Sequence, residues 1–231
     1  GRATATLMSG GLLSGCCQEE AASRGSQTTK AFQMKHYCNP MSRAMTTLWM
    51  FAELDIEPEQ ILVDLQAGDT ATTEFRKINP MGKIPVLVDD GIVVTEVAAI
   101  CAYLADKFPE KRFAPAMGTR ARGKYYRYMF VPGTTIEPML TVTSMNVGNY
   151  PAMSAGFGDL ERCLTTIEEM TPDTDWALGG DFTAADIVFG GTLDFFIQTG
   201  SLEEPSEKQR AYVRRLKDRS AYQKTHDPSW Y

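Results

Sequence analysis

The sequence predicts an α/β half followed by an all-helical half. Two observations lead there. Over residues 31–110, β-rich runs and amphipathic helical stripes alternate in the order βαβ, a short helix, then ββα. Beyond residue 119 strand patterning disappears and helix signals take over. A length of 231 residues suits two modest domains. The expected organisation is an extension over 1–30, an α/β domain over 31–110, a linker over 111–118 and a helical domain over 119–231.

The elements follow in order. Phe32–Tyr37 reads as a strand. Residues 43–54 carry Met45, Leu48, Trp49 and Ala52, the i, i+3, i+4, i+7 stripe of an amphipathic helix. Ile61, Leu62 and Val63 make a second strand, and Glu74–Ile78 a short helical or irregular piece. Pro85–Val88 and Ile92–Val94 flank Asp89-Asp90-Gly91, and an Asp-Gly turn between β-rich runs signals a hairpin. A helix then presents Val97, Ile100, Cys101, Leu104 and Phe108 on one face. A helix joins the first two strands, so they should pair parallel, and the hairpin should be antiparallel. A small mixed sheet covered by helices results.

In the second half, residues 119–131 read as a helix that Pro132-Gly133 should kink or break. Gly156–Met170 reads as another, with Phe157, Leu160, Leu164 and Ile167 in register. Residues 208–219 form a basic-faced helix around Tyr212, Val213 and Leu216. Phe182-Thr183-Ala184-Ala185-Asp186-Ile187 is the strongest local signal. Thr183 can cap a helix start while Asp186 reaches back to the cap amide, with Phe182 and Ile187 as the hydrophobic staple. It is a folding feature.

Composition narrows the function. Hydrophobic residues at 43% and charged residues at 23% fit a soluble globular chain with a sizeable core. A net charge of −6 provides no basic footprint, so nucleic acid is not an expected partner. No stretch approaches the roughly 20 apolar residues of a membrane span, so no membrane partner is expected. Five cysteines (Cys16, Cys17, Cys38, Cys101, Cys163) lack metal-ligand spacing and fit a reducing compartment. With only His36 and His226, a His-based triad or a multi-His metal site is poorly supplied, and no metal is expected. Residues 1–30, rich in Gly, Ala, Ser and Thr, read as a disordered tail, a trimmed targeting segment or a cloning remnant. The expected location is the cytoplasm, with an organelle as the alternative.

Three segments carry a family resemblance: Asn79-Pro80-Met81-Gly82-Lys83-Ile84-Pro85-Val86-Leu87 with Thr95-Glu96-Val97-Ala98-Ala99-Ile100 after it, Phe182–Asp186, and Ala211–Val213 to Ala221-Tyr222. In that order and at those distances they resemble the cytosolic glutathione transferase superfamily. The start Asn39-Pro40-Met41-Ser42-Arg43 resembles bacterial-type members with a serine at the thiol site. The resemblance implies an N-terminal thioredoxin-like domain, an all-helical C-terminal domain, a homodimer, glutathione as co-substrate with no other cofactor, and a detoxifying transfer to a small hydrophobic electrophile.

It also implies roles. Only a few per cent of a thiol with pKa about 8.5 is thiolate at pH 7, and the thiolate is the nucleophile. Ser42, at the strand-to-helix turn, can donate a hydrogen bond to that sulfur; it can equally cap the helix. Arg43 joins the glutathione-binding set. The family holds the equivalent of Ile84-Pro85 cis, leaving the Ile84 backbone to pair with the cysteinyl part of glutathione. Lys83 can reach the glycyl carboxylate or be a surface lysine. Glu96 would hold the γ-glutamyl ammonium and the Val97 amide its carboxylate, although an acidic residue in a first helical turn is also ordinary dipole complementation. Val97 departs from the family's Ser or Thr. Tyr125, Tyr126, Met129 and Phe130 are candidates for the second-substrate site, being large and partly polar.

Cys38 is the alternative working group, as a monothiol forming a mixed disulfide with glutathione, or else a strand-end cysteine packed as a small hydrophobe. Tyr37 is a further hydroxyl nearby. Three classes stay open: a transferase using Ser42, a thiol transferase or reductase using Cys38, and a non-catalytic interaction module.

Overall fold

A computed structural model of the chain describes residues 34–147, 150 and 153–226. Phe32 and the extension over 1–30 lie outside the described residues.

Four strands make one sheet: β1 Met34–Cys38, β2 Glu59–Leu62, β3 Val86–Asp89 and β4 Ile92–Thr95, in the order β2-β1-β3-β4. β1 pairs parallel with β2, while β3 runs antiparallel to both β1 and β4, as the connections require. Asp90 (φ 49°) and Gly91 (φ 80°) turn the hairpin with both central residues at positive φ, the backbone that matches strand twist. The second strand begins two residues earlier than the apolar run suggests, and buried Val63 follows it.

Side-chain alternation divides the sheet faces. Met34 and Leu87 face α1 (Ala44–Leu54) and α3 (Val97–Lys107), while Val86 packs with Phe75 of α2 (Thr73–Ile78) on the other side. His36 lies on the α1 side, fully buried, 2.8 Å from the Thr47 hydroxyl and against Phe51. Burial drives its pKa down from 6.5 to about 4, so the folded chain holds it neutral.

The helical half contains α4 (Arg120–Val131), α5 (Glu137–Ser144), α6 (Leu160–Met170), α7 (Gly191–Gln198), α8 (Glu207–Lys217) and α9 (Ser220–Thr225). Pro132-Gly133 does not break the helical path. Residues Pro132–Ile136 form a π-helical segment that runs from α4 into α5, whose wider turn accommodates the missing proline donor. α6 starts at Leu160 rather than Gly156, because Asp159 caps it through the Arg162 amide and Gly158 has φ 72°. A second π segment, Asp186–Gly190, precedes α7. Asp186 reaches back to the Thr183 amide (2.9 Å), and it also accepts from the Ala177 amide (2.6 Å) and the Tyr212 hydroxyl (2.9 Å). Gly190 is required here, since a Cβ would stand 2.3 Å from Leu216 Cδ1.

Helix α1 joins the two halves. Trp49, fully buried, donates to Glu53 (2.9 Å) and meets Tyr222 edge-on. Glu53 also receives a two-point contact from Arg219 (2.6 and 2.7 Å), whose guanidinium lies over the Phe182 ring.

Arg219→Ala leaves the Glu53 carboxylate buried without its cation, and should cost about 3 kcal/mol in urea unfolding. His36 titrates near 6.5 when unfolded and near 4 when folded. The unfolded chain therefore binds the extra proton between those values, and stability falls as pH drops from 6.5 to 4. The loss attributable to this residue is about 3 kcal/mol, and urea midpoints of His36→Gln across that window should lack it.

Candidate functional site

Strand β1 ends at Cys38, and the chain turns through Asn39–Ser42 into α1. Asn39 shapes the turn: its side chain accepts from the Met41 amide (2.9 Å) and donates to the Val63 carbonyl (2.9 Å). The Ser42 hydroxyl donates to the Asn39 carbonyl (2.7 Å) and accepts from the Ala44 amide (3.1 Å). In this state the hydroxyl thus supports the turn and the first amides of α1.

A cleft of about 520 Å³ opens beside that turn, between the two halves. Arg43, Asn79, Lys83, Ile84, Pro85, Glu96 and Val97 line it from the α/β side; Phe130, Pro132, Gly133, Thr134, Glu137 and Val188 line it from the helical side. Five of the six residues expected to bind the tripeptide come from two segments, the one before β3 (Lys83, Ile84, Pro85) and the one from the end of β4 into α3 (Glu96, Val97), and Arg43 comes from the start of α1. Ser42 is half-buried, one residue before Arg43, and is not itself in the lining.

Several polar groups in the cleft have no protein partner among the described residues. The Lys83 ammonium and the Glu96 carboxylate, both exposed, form no hydrogen bond or ion pair. The Ile84-Pro85 bond is cis, and neither the amide nor the carbonyl of Ile84 pairs with backbone. Asn79, buried, holds the Lys83 carbonyl through its side-chain amide (2.8 Å) and fixes this loop. Glu96 has φ 71°, a left-handed conformation that a non-glycine residue adopts at a cost of about 1–3 kcal/mol and that clusters at functional sites. It is the residue before α3, whose first residues, Val97, Ala98 and Ala99, line the cleft and have amides without intrahelical acceptors. The spacing of an acidic residue before a helix carried no hint of that backbone.

Arg43 crosses the cleft. Its Nη2 donates to Glu137 (2.6 Å) and to the Thr192 hydroxyl (2.8 Å), and the guanidinium stands 5.3 Å from the Phe195 ring centre. Glu137 and Thr192 belong to no local sequence motif, and they meet Arg43 from 94 and 149 residues away.

Tyr125, Tyr126 and Met129 do not line the cleft as expected, and Cys38 takes the packed rather than the redox of its two expected roles. Tyr125 and Met129 are fully buried in the core and line no part of the cleft. They fall with Arg122 and Tyr128 on the inward stripe of α4, whereas Tyr126 and Phe130, four apart, fall on the outward stripe and stack at 6.0 Å. Of the four, only Phe130 reaches the cleft; Tyr126 packs on Met117 and Arg122. Cys38 is buried with Ala44 and Leu48, and burial raises its thiol pKa to about 11. A protonated, enclosed thiol is a poor redox nucleophile. Tyr37 points to the opposite sheet face, edge-on to Phe75. A larger cavity of about 720 Å³ lies between the residues around Pro115 and the start of α4, and it includes none of the expected site residues.

Family comparisons agree with this geometry. The family model described as glutathione S-transferase, N-terminal domain, matches residues 32–106, and that for the C-terminal domain matches 150–217. Glutathione S-transferase D7 of Drosophila melanogaster is 30% identical over 168 residues, which cover 68% of this chain and 72% of the relative. The chain belongs to the glutathione S-transferase family. Glutathione S-transferase Z2 of Arabidopsis thaliana is 44% identical over 61 residues, 26% of this chain and 27% of that relative. The chain spans 27% to 38% of the length of the first such relatives it matches. Among solved structures, a glutathione transferase from Methylococcus capsulatus superposes with TM-score 0.66 at 27% identity, covering 83% of this chain and 96% of that one. The transferase URE2P8 of Phanerochaete chrysosporium, solved with oxidized glutathione, gives TM-score 0.68 at 21% identity, covering 85% and 95%, and shares the fold. The sheet with its flanking helices and the helical second half are those of the family's thioredoxin-like plus all-helical architecture.

Burial makes a chemical prediction. In a Cys16→Ser/Cys17→Ser background, Cys38, Cys101 and Cys163, all buried, should resist a maleimide reagent at pH 7 in the folded chain and react completely in denaturant. Mass spectrometry counts the adducts, and fast native labelling of Cys38 would contradict its protonated state.

Proposed function

We propose that the chain is a glutathione transferase that binds glutathione in the 520 Å³ cleft and activates its thiol for attack on a small hydrophobic electrophile. The supporting observation is the set of unpartnered groups gathered there. Lys83 offers a cation for the glycyl carboxylate. The free Ile84 backbone offers a strand edge to the cysteinyl residue. Glu96 offers an anion for the γ-glutamyl ammonium, and the Val97 amide at the start of α3 offers a donor for its carboxylate. The missing hydroxyl at Val97 leaves that last contact to backbone alone. Phe130, Pro132 and Val188 supply an apolar wall for the electrophile. Glutathione is a co-substrate in this reading, and no other cofactor takes part. The homodimer, the cytoplasmic location and the serine subtype follow from the family resemblance.

Ser42 activates the sulfur by exchanging partners. Its proton now goes to the Asn39 carbonyl, a neutral hydrogen bond worth about 0.5–1.5 kcal/mol; turned to a thiolate it forms a charged one worth about 1.5–3 kcal/mol. The difference of about 1–1.5 kcal/mol lowers the bound-thiol pKa by about one unit. From about 8.5 this raises the thiolate fraction at pH 7 to roughly a quarter, with no histidine base. The buried, protonated Cys38 disfavours the thiol-transferase reading, and the unpartnered charges disfavour a non-catalytic module.

Ser42→Ala should raise the pKa of bound glutathione by about one unit and slow conjugation about tenfold at pH 7, with affinity little changed. Thiolate ultraviolet absorbance read against pH, beside initial rates on a panel of electrophiles, tests it. Unaltered rates and pKa would remove Ser42 from the mechanism.

A further inference from the structure

The helical wall of the cleft is narrow in its chemistry. Phe130, Gly133, Thr134 and Glu137 fall at i, i+3, i+4 and i+7, the spacing of one helical stripe, and all four line the cleft. Pro132 and Val188 complete that side. Phe130 is exposed at one end of the stripe, and Glu137 stands at the other, roughly 10 Å on at helical rise. Between them Gly133 has no side chain, and a Cβ placed there would meet nothing within 4 Å. The stripe is thus a gap with an aromatic ring before it and a carboxylate after it.

Its polar side chains only accept. The Thr134 hydroxyl donates its proton to the Phe130 carbonyl (2.9 Å), which leaves lone pairs for a ligand. Glu137 uses Oε1 for Arg43 (2.6 Å). Its Oε2 has no protein partner among the described residues, in a side chain that is 31% exposed. The charges lining the cleft cancel, Arg43 and Lys83 against Glu96 and Glu137. Glutathione as thiolate then adds two carboxylates and a sulfur anion against a single ammonium, so the loaded cleft is anionic.

Resting on the glutathione reading above, we propose that this wall selects the second substrate: an electrophile with a flat, aryl-sized apolar body and a hydrogen-bond donor, neutral or cationic. The body lies over Gly133, against Phe130 and Val188. The donor, a hydroxyl or an ammonium, meets Glu137 Oε2 and Thr134 Oγ1. A carboxylate in that place sets acceptor against acceptor and negative charge against negative charge. Glu137 is therefore a specificity-determining residue for the electrophile.

The probes are benzylideneacetones bearing a methyl, hydroxymethyl, ammoniomethyl or carboxymethyl group, placed meta and para in turn, with the better isomer scored at pH 7. The thiolate sulfur adds to the alkene carbon, and the resulting enolate takes a proton from water. Each rate is divided by the uncatalysed rate with glutathione. Ratios of kcat/KM between probes on one enzyme cancel any change in thiol activation, so they read the electrophile wall alone. In the full wild-type chain the hydroxymethyl and ammoniomethyl probes should exceed the methyl probe about fivefold, and the carboxymethyl probe should fall about fivefold below it, the scale of a partly exposed charge contact. Glu137→Gln should abolish both the ammonium advantage and the carboxylate penalty. Gly133→Leu, which fills the gap, should disfavour the aryl probes about tenfold relative to methyl vinyl ketone. A wild type that favours the carboxymethyl probe or ranks the four alike overturns the inference, as does Glu137→Gln with the wild-type ranking or Gly133→Leu without its loss. If Glu137→Gln fails to fold, the wild-type ranking and Gly133→Leu decide. A wild type that binds no glutathione by calorimetry, or binds it and conjugates none of the probes, overturns the reading of the site and this inference with it. One that binds glutathione and conjugates the probes without this ranking overturns this inference alone.

Discussion

Helix α1 is pinned to the helical half at both ends by arginine–carboxylate pairs, and the cleft exists because of that pinning. At its C-terminal end Glu53 receives Arg219 and the Trp49 indole; at its N-terminal end Arg43 reaches Glu137 and Thr192. Between them Trp49 is fully enclosed by residues from both halves, with Phe182, Tyr222 and His226 around its rings. The pairs differ in kind. Arg219 meets Glu53 with two parallel contacts against a carboxylate that is 6% exposed. Arg43 makes its ionic contact through one nitrogen, with both partners half-exposed. The first is a joint, whereas the second leaves donor capacity facing open volume. One helix thus fixes the relation of the two halves at one end and borders the site at the other.

The same asymmetry runs through the helical half. Its regular helices bury an apolar stripe, but the two π segments, Pro132–Ile136 and Asp186–Gly190, both contribute cleft-lining residues. Around Asp186 the irregularity is stabilised from within: two amides and the Tyr212 hydroxyl donate to a carboxyl whose pKa burial raises and these hydrogen bonds partly lower again. The capping residues therefore hold an irregular turn next to the site as well as starting a helix. Glycine at 190 completes it by letting α8 approach, because any side chain would collide with Leu216.

How much of this was legible in the sequence depends on the range of the interaction. The hairpin was, since an Asp-Gly pair between β-rich runs has few alternatives, and so was the Thr183–Asp186 box, which spans three residues. The helical stripe of α4 was legible as a helix but its facing was misassigned. Size and polarity suggested Tyr125 and Met129 for a pocket, yet their spacing with Arg122 and Tyr128 places them in the core. Proline ordinarily breaks or kinks a helix, whereas at Pro132 a π turn absorbs a residue without an amide proton. Glu137 and Thr192 carry no local signal at all. Their relation to Arg43 is created only when segments 94 and 149 residues apart pack together. The positive φ of Glu96 is likewise a tertiary outcome, because the hairpin end and the start of α3 hold a side chain where glycine would be the unstrained choice.

Desolvation separates the two candidates for the sulfur chemistry more firmly than their positions in sequence do. Cys38 and Ser42 are four residues apart on the same turn, and either can be written beside a bound thiol. A cysteine must ionise to act, and the core formed by Ala44 and Leu48 makes ionisation costly, with a pKa near 11. A serine acts as a hydrogen-bond donor with its proton in place, so burial costs it little. It must give up only one neutral contact, to the Asn39 carbonyl, and receives a charged one in return. That exchange yields about one pKa unit, a modest activation for a group working alone.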